Sequence, residues 1–341
     1  MSKVYFIPIT DYDKEELSDI ALELFNEVLA REEMELAREI PIKVHFGEKG
    51  NTTFLDPSCY KGVINRLQEL GVAPSYIETN VLYRGSRTTR DSHIALAREH
   101  GFTDLPILIA DGDHGEEVME VPIDGDVFES VKLGKGFAPY DQFVVMAHFK
   151  GHATAGFGGA LKQLAMGFAS RSGKMAQHAT VNPVVEQEEC ISCGACVAAC
   201  DYDAIELEDK AFIDHDRCVG CAACVAACPV GAIRTDWGAE DFTLRVAEYA
   251  YGAGKDKDNI YISYALNITE LCDCFGGPME PVAGNLGVFC STDPVAIDTA
   301  CIDMLQAKEK QPMFDKGRET LVHAEKLGLG SQNYTLIELK R

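Results

Sequence analysis

No stretch of this 341-residue sequence approaches the roughly eighteen consecutive apolar residues at which a segment can cross a bilayer as a helix. The opening MSKVYFIPITDYDKEE holds only a short apolar run before acidic side chains, so neither a membrane span nor a secretory signal is expected. Positive charge is scarce. Against 54 Asp and Glu stand 31 Lys and Arg, a formal charge of -23, and such a surface disfavours nucleic acid and anionic membranes. A G-x-G-x-x-G fingerprint following a strand pattern is missing, which leaves a bound dinucleotide without sequence support. Low-complexity segments and long linkers are missing too. With 46% hydrophobic residues, the chain can bury a substantial core.

The first half alternates short apolar runs with helical patterns, as parallel α/β folds do. VYFIPI reads as a strand, and Leu17, Ile20, Ala21, Leu24, Phe25 and Val28 then recur as one apolar helix face. In IPIKVHFG, Ile40, Ile42, Val44 and Phe46 alternate with Lys43 and His45, a strand with one polar face. Asp56, Pro57 and Gly71 bracket the next helix as cap, first residue and stop. SYIET, PILIA and QFVVMA continue the strand series, and the continuously apolar Phe143 to Ala147 implies a strand covered on both faces. From 186 to 236 the rhythm gives way to cysteines, small residues and acidic links, then resumes with NIYISYAL, LGVFCS and DPVAIDTACIDML. The expected fold class is therefore α/β. A mostly parallel sheet domain begins in 1–185, carries an inserted ferredoxin-like module at 186–236, and is completed by 237–341.

Eight of the thirteen cysteines fall in two copies of one pattern, CISCGACVAAC from Cys190 and CVGCAACVAACP from Cys218. Each reads C-x2-C-x2-C-x3-C, the bacterial ferredoxin arrangement in which the fourth cysteine of a run serves the other cluster. That spacing assigns Cys190, Cys193, Cys196 and Cys228 to one [4Fe-4S] cluster, and Cys200, Cys218, Cys221 and Cys224 to a second. The intervening Gly194, Ala195, Gly220, Ala222 and Ala223 are small enough to let the backbone approach sulfide. Zinc is the competing reading, but zinc sites usually separate two ligand pairs by a longer loop. Pro229 follows the second run, whereas Asp201 stands after Cys200; that proline shapes the chain and supplies no ligand. Spacing for metal rather than disulfides points to a reducing, cytoplasmic setting.

A second group of candidates surrounds HATAGFGGALK. The strand at Phe143 to Ala147 ends just before it, and Gly156, Gly158 and Gly159 lead into a helix carrying Lys162. Ligands of open α/β sheets sit beyond the carboxyl ends of strands, and a glycine-rich helix start offers free amides to an anion. GFGGALK does not match the phosphate loop G-x-x-x-x-G-K. His148 and His152 are four apart but directly follow a strand, so they are not expected to chelate as a pair. Lys43, His45, Glu48 and Asn51 cluster after an alternating strand, and Arg84 and Arg87 share a glycine-containing loop; such arginines bind carboxylates or phosphates, although a solvated surface is their default. Cys272 and Cys274 flank Asp273, and a metal site, a redox pair and a proton donor all fit them. Cys301 belongs to an apolar helix face, Cys59 and Cys290 read as structural, Asp293 reads as an N-cap, and Asp298 is expected on a solvated helix face.

The stretches 43–57, 79–87, 148–167, 272–281 and 291–300, in this order around a ferredoxin-type insert, resemble family 362 of the domains of unknown function. That resemblance implies iron-sulfur clusters and no established activity. HATAGFGGALK is also similar to a glycine-rich segment of lactate racemase-type enzymes, which use a nickel pincer nucleotide. The likeness implies His152 as a catalytic histidine, Lys162 as the tethering lysine and His178 as a nickel ligand. The leading expectation is an iron-sulfur oxidoreductase whose two clusters relay electrons to a pocket for an anionic small molecule or cofactor. His152, Lys162, His178, Cys272 and Cys274 line that pocket in this reading, with a redox partner protein as donor. The alternatives are a ferredoxin-like carrier whose α/β domain docks a partner, pincer-type chemistry at Lys162, and assembly of a metallocofactor for another enzyme.

Overall fold

A computed structural model of the chain describes residues 1–340 other than 84, 180, 181, 201, 219, 221 and 236–240. The chain begins with β1 (Ser2–Pro8), α1 (Lys14–Arg31), β2 (Glu39–Lys43), α2 (Lys61–Glu69), β3 (Ala73–Glu78), α3 (Arg90–Glu99) and β4 (Ile107–Ile109). The hairpin of β5 (Val118–Pro122) and β6 (Ser130–Gly134) precedes β7 (Val144–His148). A small second hairpin, β8 (Lys150–His152) and β9 (Gly156–Gly158), leads into α4 (Ala160–Phe168) and α5 (Arg171–His178). The cysteine-rich segment then supplies β10 (Val184–Val185), α6 (Ala195–Ala198), β11 (Ile205–Leu207), β12 (Ala211–Ile213), α7 (Ala223–Ala227) and β13 (Ile233–Arg234). Last come α8 (Phe242–Gly254), β14 (Ile260–Ala265), β15 (Gly287–Ser291), α9 (Pro294–Glu309), α10 (Arg318–Lys326) and β16 (Tyr334–Glu338).

Eight strands make one sheet in the order β16-β1-β15-β14-β7-β2-β3-β4. Every neighbouring pair is parallel except the two involving β15, which runs against both β1 and β14. The fold is thus a mixed α/β architecture with a mostly parallel sheet, as the alternation of patterns implied. Side chains of the central strands divide by period two between two cores. Val144 and Met146, Ile260 and Ile262 join the layer of α1 and α2. Val145 and Tyr261 join the layer of α4, α8 and α9. Helices on both faces explain why Phe143 to Ala147 is apolar without interruption.

The helix signals act as read. Asp56 caps the short 3-10 turn Pro57–Tyr60 that runs into α2, and Asp293 caps α9 ahead of Pro294; Asp13, which the sequence did not single out, caps α1 by accepting from the Glu15 and Glu16 amides. Cys301 lies fully inside the sheet-facing side of α9. Two expectations need correction. β2 ends at Lys43, whose side chain is fully buried rather than on a solvated strand face. Asp298 is fully buried as well: its carboxylate accepts from the Ala160 and Leu161 amides at 2.8 and 2.9 Å, a capping duty performed across the layer by a different helix.

The cysteine-rich segment is two short antiparallel ribbons, β10 with β13 and β11 with β12, and two short helices. Its core consists of Cys196, Cys224 and Cys228 among Ile205, Ile213 and Ile233. Beyond this, Ala222 and Val225 pack on Leu82, Met175 and Ala179 of the main body.

Gly156 has φ of +80°, and a Cβ there would overlap the Gly317 backbone nitrogen. Gly156→Ala is expected to cost on the order of 3 kcal/mol through left-handed strain and overlap with backbone that cannot yield, read as a lowered midpoint in denaturant unfolding.

Candidate functional site

Strands β2, β3 and β7 are parallel neighbours, so their carboxyl ends open on one edge of the sheet. Beyond that edge lies a solvent-connected cleft with about 580 Å³ of atom-free space. Its walls include Lys43's neighbours His45, Glu78 and Arg87, then His148, Lys150, Lys162 and Lys174, and the turn Cys272, Asp273, Cys274. This is where a ligand sits in an open α/β sheet.

Charge in the cleft is largely paired. Lys43 Nζ lies 2.9 Å from Glu78 Oε1, with both side chains almost fully buried. Burial favours the neutral form of Glu78, but the Lys43 ammonium outweighs it and holds the carboxyl below its ordinary range. Asp273 accepts from Lys150 Nζ at 2.7 Å and lies 3.0 Å from His148 Nδ1. Burial again opposes ionisation, and the Lys150 and His148 charges again prevail, pulling Asp273 well below the carboxylate range. Arg87, 1% exposed, reaches Glu48 Oε2 at 3.1 Å and also donates to the Tyr83 hydroxyl. Lys174 donates to the Ala169 carbonyl at 2.9 Å and to Thr79; burial lowers it toward neutrality against the pull of Asp111. Lys162 makes no hydrogen bond or ion pair with the described residues, and burial would lower its pKa. Instead Cys272, Cys274 and Asp273 outweigh burial and keep it raised.

The sulfur pair sits in a turn closed by the Phe275 amide donating to the Cys272 carbonyl at 2.9 Å. A hydrogen bond from Cys272 lowers Cys274 well below the usual thiol range; burial works against this, while Lys162 and His45 reinforce it. Cys272 is raised correspondingly by the same bond and by burial. His45 accepts the Gly47 amide at Nδ1, 3.1 Å, and its Nε2 lies 3.5 Å from Cys274 Sγ. Burial, then the Arg87 guanidinium 3.0 Å from Nε2, keeps the ring from taking a second proton.

Other residues singled out in the sequence occupy different surroundings. Gly158 and Gly159 line the cleft and Gly156 does not. The α4 amides of Ala160 and Leu161 are already occupied by Asp298, so that helix start is not open to an external anion. His152 and His178 are not lining residues; both pack on Phe242, with ring centroids 6.1 and 4.8 Å away. Burial first, and Lys162 second, lower His152 to about 2 and His178 to about 4. Arg84 lies outside the described residues.

Glu78, Lys150 and Lys174 were not picked out from sequence. The available signal was position: Glu78 ends a strand, and Lys150 stands two residues beyond another.

The cysteine runs border two small, partly open cavities. Cys190, Cys193, Cys196 and Cys228 border one. Cys200, Cys218 and Cys224 border the other, and Cys221 lies outside the described residues. Among the described residues, no three His, Cys, Asp or Glu side chains converge tightly enough for a single metal ion. Two amides already point at sulfur: Ser192 N at 3.5 Å from Cys190 Sγ, and Ala232 N at 3.2 Å from Cys228 Sγ.

Fold and cysteine arrangement together describe an iron-sulfur-related α/β protein with a polar cleft beyond the strand ends. The chain belongs to the family described as domain of unknown function (DUF362), whose model matches residues 40–303. A ferredoxin of Pyrobaculum islandicum is 63% identical over 27 residues, 8% of this chain and 25% of that protein; the chain thus spans about a quarter of that relative's length. Among solved structures, a protein from Thermotoga maritima aligns with a TM-score of 0.44 and 8% identity, over 94% of this chain and 61% of its own. The lactate racemase apoprotein from Thermoanaerobacterium thermosaccharolyticum aligns with a TM-score of 0.40 and 14% identity, over 78% of this chain and 51% of its own. No described helix is long and apolar enough to cross a membrane.

Asp273→Ala strands Lys150 and His148 without their shared carboxylate, and a loss of about 3–5 kcal/mol in urea unfolding is expected. The folded pKa of Asp273 is depressed. Its contribution is therefore present above the unfolded carboxylate value of about 3.9, and it is lost only as pH falls below that value toward the folded pKa. The wild-type advantage over the variant should accordingly be constant from pH 5 to 8 and shrink in stronger acid.

Proposed function

We propose that this protein is an oxidoreductase in which two [4Fe-4S] clusters, in the module spanning 186–236, pass electrons toward the cleft of the α/β body. What supports this most is the division of the cysteines between two cavities, with Cys228 closing the cavity of the first run and Cys200 bordering that of the second. When bound, the clusters supply single-electron transfer. Cys190, Cys193, Cys196 and Cys228 would hold one, and Cys200, Cys218, Cys221 and Cys224 the other.

The protein's own groups do the rest. α5 joins module to cleft, with Met175 against Ala222 and the preceding Lys174 in the cleft wall. In this reading Lys162, which makes no hydrogen bond or ion pair with the described residues, binds the charged group of an anionic small molecule, and Arg87 and Lys150 set the field around it. The Cys272 thiol holds a proton within reach of the cleft for delivery to a reduced ligand. A redox partner protein fits the apolar side chains around the first cavity, where Ile191, Leu207 and Val230 are 59%, 39% and 46% exposed. The pincer alternative needs His152 and His178 facing the ligand of Lys162, and neither lines the cleft.

Anaerobically purified protein is expected to contain about eight irons and eight sulfides per chain and no nickel, with Lys162 unmodified by intact mass. Cys228→Ser should remove the paramagnetic signal of the cluster bound by the first run and leave the second. Loss of the second run's signal instead would overturn the ligand exchange, and an iron-free protein binding one zinc would overturn the proposal.

A further inference from the structure

Five cysteines stand outside the two runs, and they are not alike. Cys59, Cys290 and Cys301 are fully buried, and burial raises each thiol, Cys59 to about 11. Thiols in such settings are inert. Cys272 and Cys274, two residues apart, instead both line a solvent-connected cleft, in a turn closed by the Phe275 amide on the Cys272 carbonyl. Cys272 is buried, while Cys274 is half-buried and so is the more accessible of the two. Among the described residues, no group of three His, Cys, Asp or Glu side chains that could hold a metal ion is found.

We infer that Cys272 and Cys274 are a redox-active dithiol: Cys274 attacks an anionic low-molecular-weight disulfide, and Cys272 resolves the adduct into an internal disulfide. The Cys274 thiolate attacks one sulfur of R–S–S–R, forming Cys274–S–S–R and expelling one thiolate, RS⁻. Cys272 then loses its proton and attacks the Cys274 sulfur. The mixed disulfide breaks, the second RS⁻ leaves, and a Cys272–Cys274 disulfide remains. Two electrons and two protons regenerate the dithiol, so that overall R–S–S–R + 2e⁻ + 2H⁺ gives two RSH. Only this last, reductive half rests on the electron relay proposed above.

The surroundings fit each role. A partly exposed thiolate in an electropositive setting is the reactive kind. His45 Nε2 lies 3.5 Å from Cys274 Sγ and 3.0 Å from an Arg87 guanidinium nitrogen, which brings a fixed positive charge close behind the sulfur. Lys162 adds to the thiolate's stabilisation. Having no hydrogen bond or ion pair with the described residues, it is also the cation that an incoming carboxylate meets. A disulfide carrying carboxylates therefore enters more readily than one carrying ammonium groups.

The test uses the anaerobically prepared, cluster-loaded full chain with two probes, oxidised glutathione, which is anionic, and cystamine, which is cationic. Wild type should release two glutathiones per chain and finish with Cys272 and Cys274 joined within one peptide. Cys272→Ser should retain one glutathione on Cys274, and Cys274→Ser should retain none. Oxidised glutathione should react about tenfold faster than cystamine, a preference that Lys162→Gln removes. Should the variants fold poorly, limited iodoacetamide labelling of wild type near pH 7 gives a separate reading, with Cys274 expected to label well before Cys272 and Cys59. Labelling of Cys274 no faster than Cys59, or a glutathione adduct that persists on Cys274 in wild type, overturns the inference. Iron and sulfide measured on the same samples separate the two readings. Eight irons per chain with an unreactive Cys274 sinks the dithiol and spares the relay, and a reactive dithiol in a chain that binds no clusters does the opposite.

Discussion

One carboxylate ties the cleft together. Asp273 takes Lys150 and His148 on its side chain, while its backbone carbonyl accepts the Glu48 amide at 3.1 Å. Through it the segment after β2, the exit of β7 and the turn between β14 and β15 are joined at one buried point. A buried charge is tolerated only when its partners are fixed, so this requirement dictates where the neighbouring side chains stand. Cys272 and Cys274 flank it, and their approach to His45 and Lys162 follows from how Asp273 is held. The same logic recurs at Lys43 with Glu78 and at Arg87 with Glu48, which places three paired charges around one cleft.

A different solution holds α4. That helix carries Lys162 into the cleft, and its first amides would ordinarily welcome an anion. Asp298, reaching across from α9, already fills that position. An anion entering the cleft would therefore meet side-chain cations, above all Lys162, rather than the helix start. The glycines before α4 serve close approach: Gly159 abuts the Asp298 carboxylate, and Gly156 abuts the backbone near Gly317.

Much of the fold was legible because period-two and period-3.6 patterns report burial directly. The Phe143 to Ala147 run, the α1 stripe and the Asp293-Pro294 helix start are instances. The two cysteine runs were equally visible, since spacing along the chain is itself the pattern. Lys43, Glu48 and Arg87 were harder. A polar residue at a strand end gives the same local pattern whether it faces water or a cleft, and only the neighbouring strands decide. Asp298 shows the limit most clearly: the amides it caps lie far from it in sequence, on another helix, and no local pattern announces that pairing. Lys150 and Lys174 were passed over for the same reason, as their partners come from distant segments.

The way the two cysteine cavities are closed has a bearing on the order in which the protein can be built. One cavity is bordered by residues from Val185 to Ile233, the other by residues from Pro183 to Cys224. A chain emerging from the ribosome thus completes the second run's cavity first. The first run waits, with three cysteines in place, until Cys228 and the strand after it have been made. The cavity begun by the earlier cysteine run is the last to be finished.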